Sequence, residues 1–193
     1  MECISGCKFH TKRDSEYKYS RDAHRECFGI GHSPRQLELE SIMRRFSYLA
    51  RRFDLYGDSE AEQITIDVLQ EEAYDFRNHI VKAAYTLGDS YPAAFAEFVA
   101  TAIPRYLDGF ESYLAKRENS SHFVGTRTSV PDFVLYELIW QASIMVPGSV
   151  SQSNRPTLFA FIETFAKNPA IAAYMASEDY IERPVNSVWA SFT

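Results

Sequence analysis

Residues 129–140 have the sequence SVPDFVLYELIW, and this stretch decides the fold. Ser129 is a typical first residue of a helix, Pro131 suits a first turn, and Asp132 stands at the third helical position. The serine oxygen is placed to accept the Asp132 amide, while the Asp132 carboxylate reaches back to the Ser129 amide. This pattern predicts a capping box with Asp in place of the usual Glu. The residues that follow are apolar on nearly every face, which is typical of a helix at the centre of a bundle.

Helical patterns lead up to this stretch from about residue 37. The first predicts an amphipathic helix that ends near Gly57, and Ser59 then caps a long helix that Gly88 terminates. A further helix begins at Pro92 and should bend at Pro104, because proline removes a backbone hydrogen bond. The apolar stripe of the first helix is Ile42, Phe46, Leu49 and Phe53, and that of the long helix is Ile64, Val68, Ala73, Phe76, Ile80, Ala83 and Ala84.

Further helices follow the central stretch. Pro147-Gly148 closes the central helix, and helices are expected over 156–166 and 169–175. Residues 180–193 have the character of an extended tail. The periodicity gives no sign of strands or of an internal repeat, so the predicted fold class is all-α, a helical bundle around one central buried helix.

Composition excludes several classes of function. The chain has 193 residues, 46% of them hydrophobic, and a net charge of -6. An acidic chain has no general attraction for phosphate backbones or anionic lipids, so neither nucleic acid nor membrane is an expected partner. No apolar run approaches the roughly 20 residues that cross a bilayer. A signal peptide is not evident at the N-terminus, and a cytoplasmic location is expected.

Residues 1–36 have a different character from the rest. They are rich in Lys, Arg, His, Ser and Gly without a sustained period, which predicts an irregular or disordered arm. Cys3, Cys7 and Cys27 all lie in this arm, so disulfides are not expected to hold the helical domain together. Together with His10 and His32 they match no common zinc spacing, and no metal site is expected.

Four stretches, in order along the chain, resemble the cytosolic glutathione transferases, the mu and sigma classes above all. The most specific is the capping-box stretch preceded by Phe123-Val124-Gly125. The four are YLARRF at 48–53 followed by Leu55 and Gly57, EEAYDFRN at 71–78, FVG and SVPDFVLY at 123–125 and 129–136, and AYM at 173–175 with Tyr180, Ile181, Pro184 and Trp189.

The resemblance implies the family's second, helical domain over residues 58–193. Residues 37–57 resemble the last helix and linker of the family's thioredoxin-like first domain. That domain carries the group that activates glutathione, and the residues before 37 do not resemble it. A truncated or replaced first domain is therefore expected, with residues 1–36 as the arm described above.

The resemblance also implies site residues. Asp75 would reach across a dimer to glutathione bound in the partner, or it is an ordinary ion-pair residue next to Arg77. Ser41 resembles the serine that binds the γ-glutamyl carboxylate. Leu107 and Phe110 would line the pocket for the electrophile, or they belong to the core. Trp189, with Phe192, would fold over that pocket, or the tail simply packs on the bundle. Ser129 and Asp132 have a structural role as the capping box.

Two functions follow from the resemblance. The first is a glutathione S-transferase that conjugates the glutathione thiolate to hydrophobic electrophiles, with glutathione as co-substrate, no separate cofactor and a homodimeric assembly. The second is a non-catalytic dimerisation or interaction module, which is favoured if the group that activates sulfur is absent. Glutathione binding discriminates between them.

Overall fold

A computed structural model describes residues 42–118, 121–181, 185–187 and 189–192, and within these residues the fold is all-helical. The predicted arm at 1–36 lies outside the described residues. The helices are α1 (Ile42–Arg52), α2 (Glu60–Tyr85), α3 (Tyr91–Glu97), α4 (Ile103–Ala115), α5 (Val130–Met145), α6 (Pro156–Ala166) and α7 (Pro169–Met175), with a short 3-10 turn at Gly88–Ser90. No described helix is long and apolar enough to cross a bilayer.

Helix α5 is the central element, as predicted. It packs against α1, α2 and α6, while α4 packs against α6. Leu135, Ile139 and Ala142 are completely buried on its core side. The opposite side is more open than the sequence predicted, since Phe133 is 38% exposed and Glu137 is also exposed. One face of the central helix therefore remains available to a ligand or partner.

The apolar stripe predicted for α2 is correct only in its second half. Ala73, Phe76 and Ile80 are buried, but Ile64 and Val68 are 58% and 57% exposed. The core face of the first turns is formed instead by Ile66, Leu69 and Gln70. Ile64 with Val68 and Ile66 with Leu69 are both apolar pairs at helical spacing, so periodicity alone could not select the face that packs on the bundle.

Pro104 is accommodated by a change of helix type. The segment Phe98–Ala102 is a π-helical turn, and the Ile103 amide donates to the Phe98 carbonyl oxygen, five residues earlier. Because proline has no N–H and its ring crowds the preceding turn, the wider turn relieves the conflict. The predicted helix from Pro92 to Leu114 is therefore two α-helices, α3 and α4, joined through this turn.

The linker between α1 and α2 is held against the loop that precedes α5. Arg127 forms ion pairs with Asp54 and Asp58, and the Val130 amide donates to the Leu55 carbonyl oxygen at 3.0 Å. The Asp58 amide in turn donates to Glu62 Oε2 at 2.7 Å. This network fixes the start of the central helix relative to α1 and α2.

Candidate functional site: an aromatic groove between α2 and α5

An open groove of about 800 Å³ runs along the exposed face of α5. Phe133, Tyr136, Glu137, Trp140 and Gln141 recur at intervals of three or four residues, so they point from one side of the helix. The other described lining residues are Phe46 of α1, Ala73, Tyr74, Arg77, Ile80, Val81 and Tyr85 of α2, Val134 and Leu138 of α5, Phe165 of α6, Ile171, Tyr174 and Met175 of α7, and Asp179, Tyr180, Ile181, Val185 and Asn186 after it.

The C-terminal tail forms part of the groove wall because hydrogen bonds fasten it to α2 and α5. The Ser187 amide donates to the Tyr85 hydroxyl oxygen at 3.1 Å, and the Ser191 amide donates to the Ala84 carbonyl oxygen at 2.8 Å. Gln141 Nε2 donates to Asn186 Oδ1 at 2.9 Å. These bonds hold Asn186 and its neighbour Val185 beside the end of α2.

Glu137 is a charged group in a groove lined mostly by aromatic and aliphatic side chains. Its carboxylate makes no hydrogen bond or ion pair with any described residue. Although the residue keeps an exposed surface, burial by the neighbouring groove wall raises the pKa of the Glu137 carboxyl. Burial likewise raises the pKa of Tyr136, with Tyr180 and Glu137 adding to the effect. The wall of the groove thus partly desolvates the Glu137 carboxyl group.

The residues that the sequence predicted for the substrate pocket lie elsewhere. Leu107 is completely buried and Phe110 is 5% exposed, both on α4 in the hydrophobic core. Their alternative role, as core residues, is the one that this placement favours. Trp189 is 81% exposed and does not line the groove, whereas Phe192 stacks on Phe95 with ring centroids 6.1 Å apart. Contact between a ligand and Leu107 would require the core to open.

The residues predicted to bind glutathione are Asp75 and Ser41. Ser41 lies outside the described residues. Asp75 is exposed on α2 and, among the described residues, forms no ion pair with Arg77. It projects from the same face of the helix as the exposed Ile64 and Val68, about three turns further along. An apolar pair and an acidic side chain therefore share a surface that points away from the core.

Ser129 and Asp132 form the predicted capping box, with the carboxylate in the dominant role. Asp132 Oδ2 accepts the Ser129 amide at 2.8 Å, and Oδ1 accepts the Phe123 amide at 2.7 Å. Ser129 Oγ faces the Asp132 amide as a capping box requires, although that amide also donates to the Ser129 carbonyl oxygen at 3.1 Å. Burial raises the pKa of Asp132. The pair lies outside the groove and has a structural role.

Sequence reasoning missed Tyr85, Glu137 and Trp140 as candidate site residues. Tyr85 follows Val81 by four residues and Arg77 by eight, and this spacing indicates that the three side chains share one helix face. Glu137 was visible as a charge within an apolar helix. Neither pattern told which face of α2 or α5 is left open, because that depends on how the other helices pack. In the described part of the chain, no group of His, Cys, Asp and Glu side chains is arranged to hold a metal ion.

Comparisons with known proteins agree with the fold. Residues 74–178, more than half of the chain, match the sequence model of the family described as glutathione S-transferase, C-terminal domain. Human glutathione S-transferase Mu 3 is 27% identical over 145 residues, 75% of this chain and 61% of that protein. Glutathione S-transferase P of Capra hircus is 28% identical over 140 residues, 72% of this chain and 64% of that protein.

A solved structure shows the same similarity in three dimensions. The pi-class glutathione S-transferase of Onchocerca volvulus superimposes with a TM-score of 0.66 and 25% identity, covering 76% of this chain and 69% of that one. The chain spans about three fifths of the length of the curated relatives it matches. Mu and P relatives match about equally well, so identity does not separate these classes.

Proposed function

The chain belongs to the family of glutathione S-transferase C-terminal domains, and from this premise we propose that it acts as a glutathione transferase that holds an apolar electrophile in the α2–α5 groove. The observation that carries the proposal is the groove itself. Its volume of about 800 Å³ and its lining of aromatic and aliphatic side chains suit a drug-sized apolar compound. Glutathione is the co-substrate in this proposal, and no separate cofactor is part of it.

The reaction proposed is attack of the glutathione thiolate on the bound electrophile. The sulfur forms a bond to the electrophilic atom, a leaving group departs or a conjugated double bond accepts the electron pair, and the thiol proton passes to solvent. Such a reaction depends on the thiolate, because the thiol is the weaker nucleophile. The groove contributes by holding the electrophile in place. No described residue is assigned the role of activating the sulfur.

We place the dimer of this proposal on the exposed face of α2. Ile64 and Val68 lie there one turn apart, and Phe53, directly after α1, is also 63% exposed. Exposed apolar side chains grouped in this way are typical of an interface between proteins. Asp75 lies further along the same face, and in a two-fold dimer it would face the partner, the position from which it would bind the amino group of the partner's glutathione. The proposal also includes membership of a mu-like class and a cytoplasmic location.

The second candidate is a non-catalytic interaction module. The same exposed side chains of Phe53, Ile64 and Val68 favour it, because they serve association whether or not glutathione binds. The two candidates share the fold and the interface. They differ in the requirement for glutathione.

Calorimetry of the purified chain with millimolar glutathione tests the proposal. Heat that saturates near one glutathione per chain supports the transferase, and Asp75→Asn should then weaken binding about tenfold, equivalent to 1.4 kcal/mol. Glu72→Gln is the matched control, since Glu72 is an exposed acid on the same helix whose removal should leave the affinity unchanged. If the folded chain gives no heat at that concentration, the transferase proposal is overturned in favour of the interaction module.

A further inference from the structure

The groove is lined by more acidic than basic side chains, and its two acidic side chains lie in different parts of it. Glu137 and Asp179 are the acidic groups among the described lining residues, and Arg77 is the basic one. Both acidic residues are exposed, but Asp179 follows α7 near the tail, whereas Glu137 lies on α5 with Phe133, Tyr136 and Trp140. The net charge of the lining is therefore negative, in a chain whose own net charge is -6. Both the local and the overall field attract cations in preference to anions.

Glu137 shares one side of α5 with aromatic side chains. Phe133 is one turn before it, Tyr136 is adjacent, and Trp140 is one turn after it, and all three line the groove. The negative faces of aromatic rings attract cations, most strongly when water is excluded. A cationic group placed here would meet a carboxylate and several ring faces together.

The Glu137 carboxylate also lacks a partner within the described residues. The residue is exposed, but the neighbouring groove wall removes part of the water that would solvate the carboxylate, which leaves the charged form in a less favourable, partly desolvated state. The raised pKa of Glu137 is the expected response of the carboxyl group to this setting. A ligand that brings a positive charge relieves the unfavourable state, so charge complementarity selects among ligands of similar shape.

We propose that the α2–α5 groove selects aromatic compounds that carry a cationic group, with Glu137 as the counter-ion. This inference rests on the proposed function in taking the groove as the electrophile site, and it names the substrate class of that site. The volume of about 800 Å³ indicates a small molecule as the occupant, since it lies within the range of sites that enclose drug-sized ligands. Arg77 lies on α2, in the opposite wall of the groove, and would disfavour a second cationic group.

Three probes with one ring system test the charge preference: biphenylmethylammonium, biphenylmethanol and biphenylcarboxylate. The chain has two tryptophans, Trp140 in the groove and the exposed Trp189, so Trp189→Phe leaves Trp140 as the reporter. Quenching of Trp140 fluorescence gives the Kd of each probe without glutathione. The ammonium probe should bind at least about tenfold more tightly than the carboxylate, with the neutral alcohol between them.

Substitution then assigns the preference to one residue. Glu137→Gln, in the same background, should abolish the preference for the ammonium probe while changing the Kd of the alcohol less than about twofold. Asp179→Asn is the control and should retain most of the preference, because Asp179 follows α7 and is not on α5 with the aromatic side chains. Circular dichroism establishes that the variants are folded.

The outcomes separate this inference from the proposed function. Equal affinities for the three probes, a preference for the carboxylate, or a preference that survives Glu137→Gln would each overturn the charge selection while leaving the groove as a binding site. Failure of all three probes to bind would overturn the groove as a site, and the inference with it. Absence of glutathione binding in the calorimetry would remove the transferase function without altering the cation preference measured here.

Discussion

Asp132 Oδ1 accepts the backbone amide of Phe123, nine residues earlier, at 2.7 Å. One carboxylate therefore closes the loop at 123–128 and, through its second oxygen, caps the start of α5. His122 Nδ1 lies 3.6 Å from the same carboxylate and makes no hydrogen bond to a described residue. Phe123 is completely buried and packs edge-to-face on Phe161, with ring centroids 5.0 Å apart. The capping residue of the central helix thus also positions an aromatic side chain of the core.

Asp132→Ala should lower the free energy of unfolding by about 2–4 kcal/mol, because two buried amides lose their acceptor at once. Urea denaturation measures the change, and refolding yield should fall in parallel. Asp132→Asn retains one acceptor oxygen and should give an intermediate loss. An alanine variant with wild-type stability and refolding would show that solvent replaces these bonds.

Gly125→Ala should destabilise the chain by about 1–2 kcal/mol, since alanine is strained in the left-handed region. Gly125 has φ +61, and a Cβ there would lie 2.8 Å from Glu62 Oε1. Gly109 provides the opposite control. It lies in α4 with open space around its Cα, so Gly109→Ala should stabilise by about 0.5–1 kcal/mol. Melting temperatures that move in the same direction for both variants would contradict this account.

Glu137→Gln should stabilise the chain in a manner that depends on pH. Because burial raises the pKa of Glu137 above its ordinary value of 4.5, the folded chain holds this proton more tightly than the unfolded chain. The stability from this group is fully present below the unfolded-state pKa and is lost as pH rises through the folded-state pKa. The variant should match wild type near pH 4 and exceed it at neutral pH, as measured by melting temperature.

The same substitution at the exposed Glu178 controls for the loss of a surface charge. If Glu137→Gln and Glu178→Gln show the same dependence on pH, the effect belongs to net charge and not to the groove.

Ile64→Glu should weaken self-association at least tenfold, because it places a charge in the apolar pair proposed as the interface. Sedimentation equilibrium of the purified chain measures the dimer Kd. Leu87→Glu is the matched control, since Leu87 is 66% exposed and lies in the turn after α2, away from Ile64. A dimer that tolerates Ile64→Glu as well as Leu87→Glu would place the interface on another surface.

Leu107→Ala should cost about 2–5 kcal/mol in stability, as expected for a fully buried leucine. Its effect on the Kd of the biphenylmethanol probe should be small, because Leu107 does not line the groove. If the variant kept its stability but lost probe affinity, Leu107 would belong to the pocket, as the resemblance implied.

The helices were largely predictable because their start and stop signals are local. Ser59 accepts the Glu62 amide at 3.3 Å as a helix cap, and α6 and α7 begin at Pro156 and Pro169 as expected. An irregularity in the helix near Pro104 was also predictable, since proline always removes a backbone donor. Its π-helical form was not predictable, because several local adjustments satisfy the same constraint.

The sequence by itself determined the all-α class, the central helix and the capping box at its start. These depend on backbone geometry and on contacts between residues close in the chain. The tertiary structure decided which apolar side chains face inward, placing Ile66 in the core and Ile64 on the surface. It also brought Tyr85, Glu137 and the tail to one groove. Such choices depend on the fit between distant helices, for which a periodic apolar pattern offers several nearly equivalent faces.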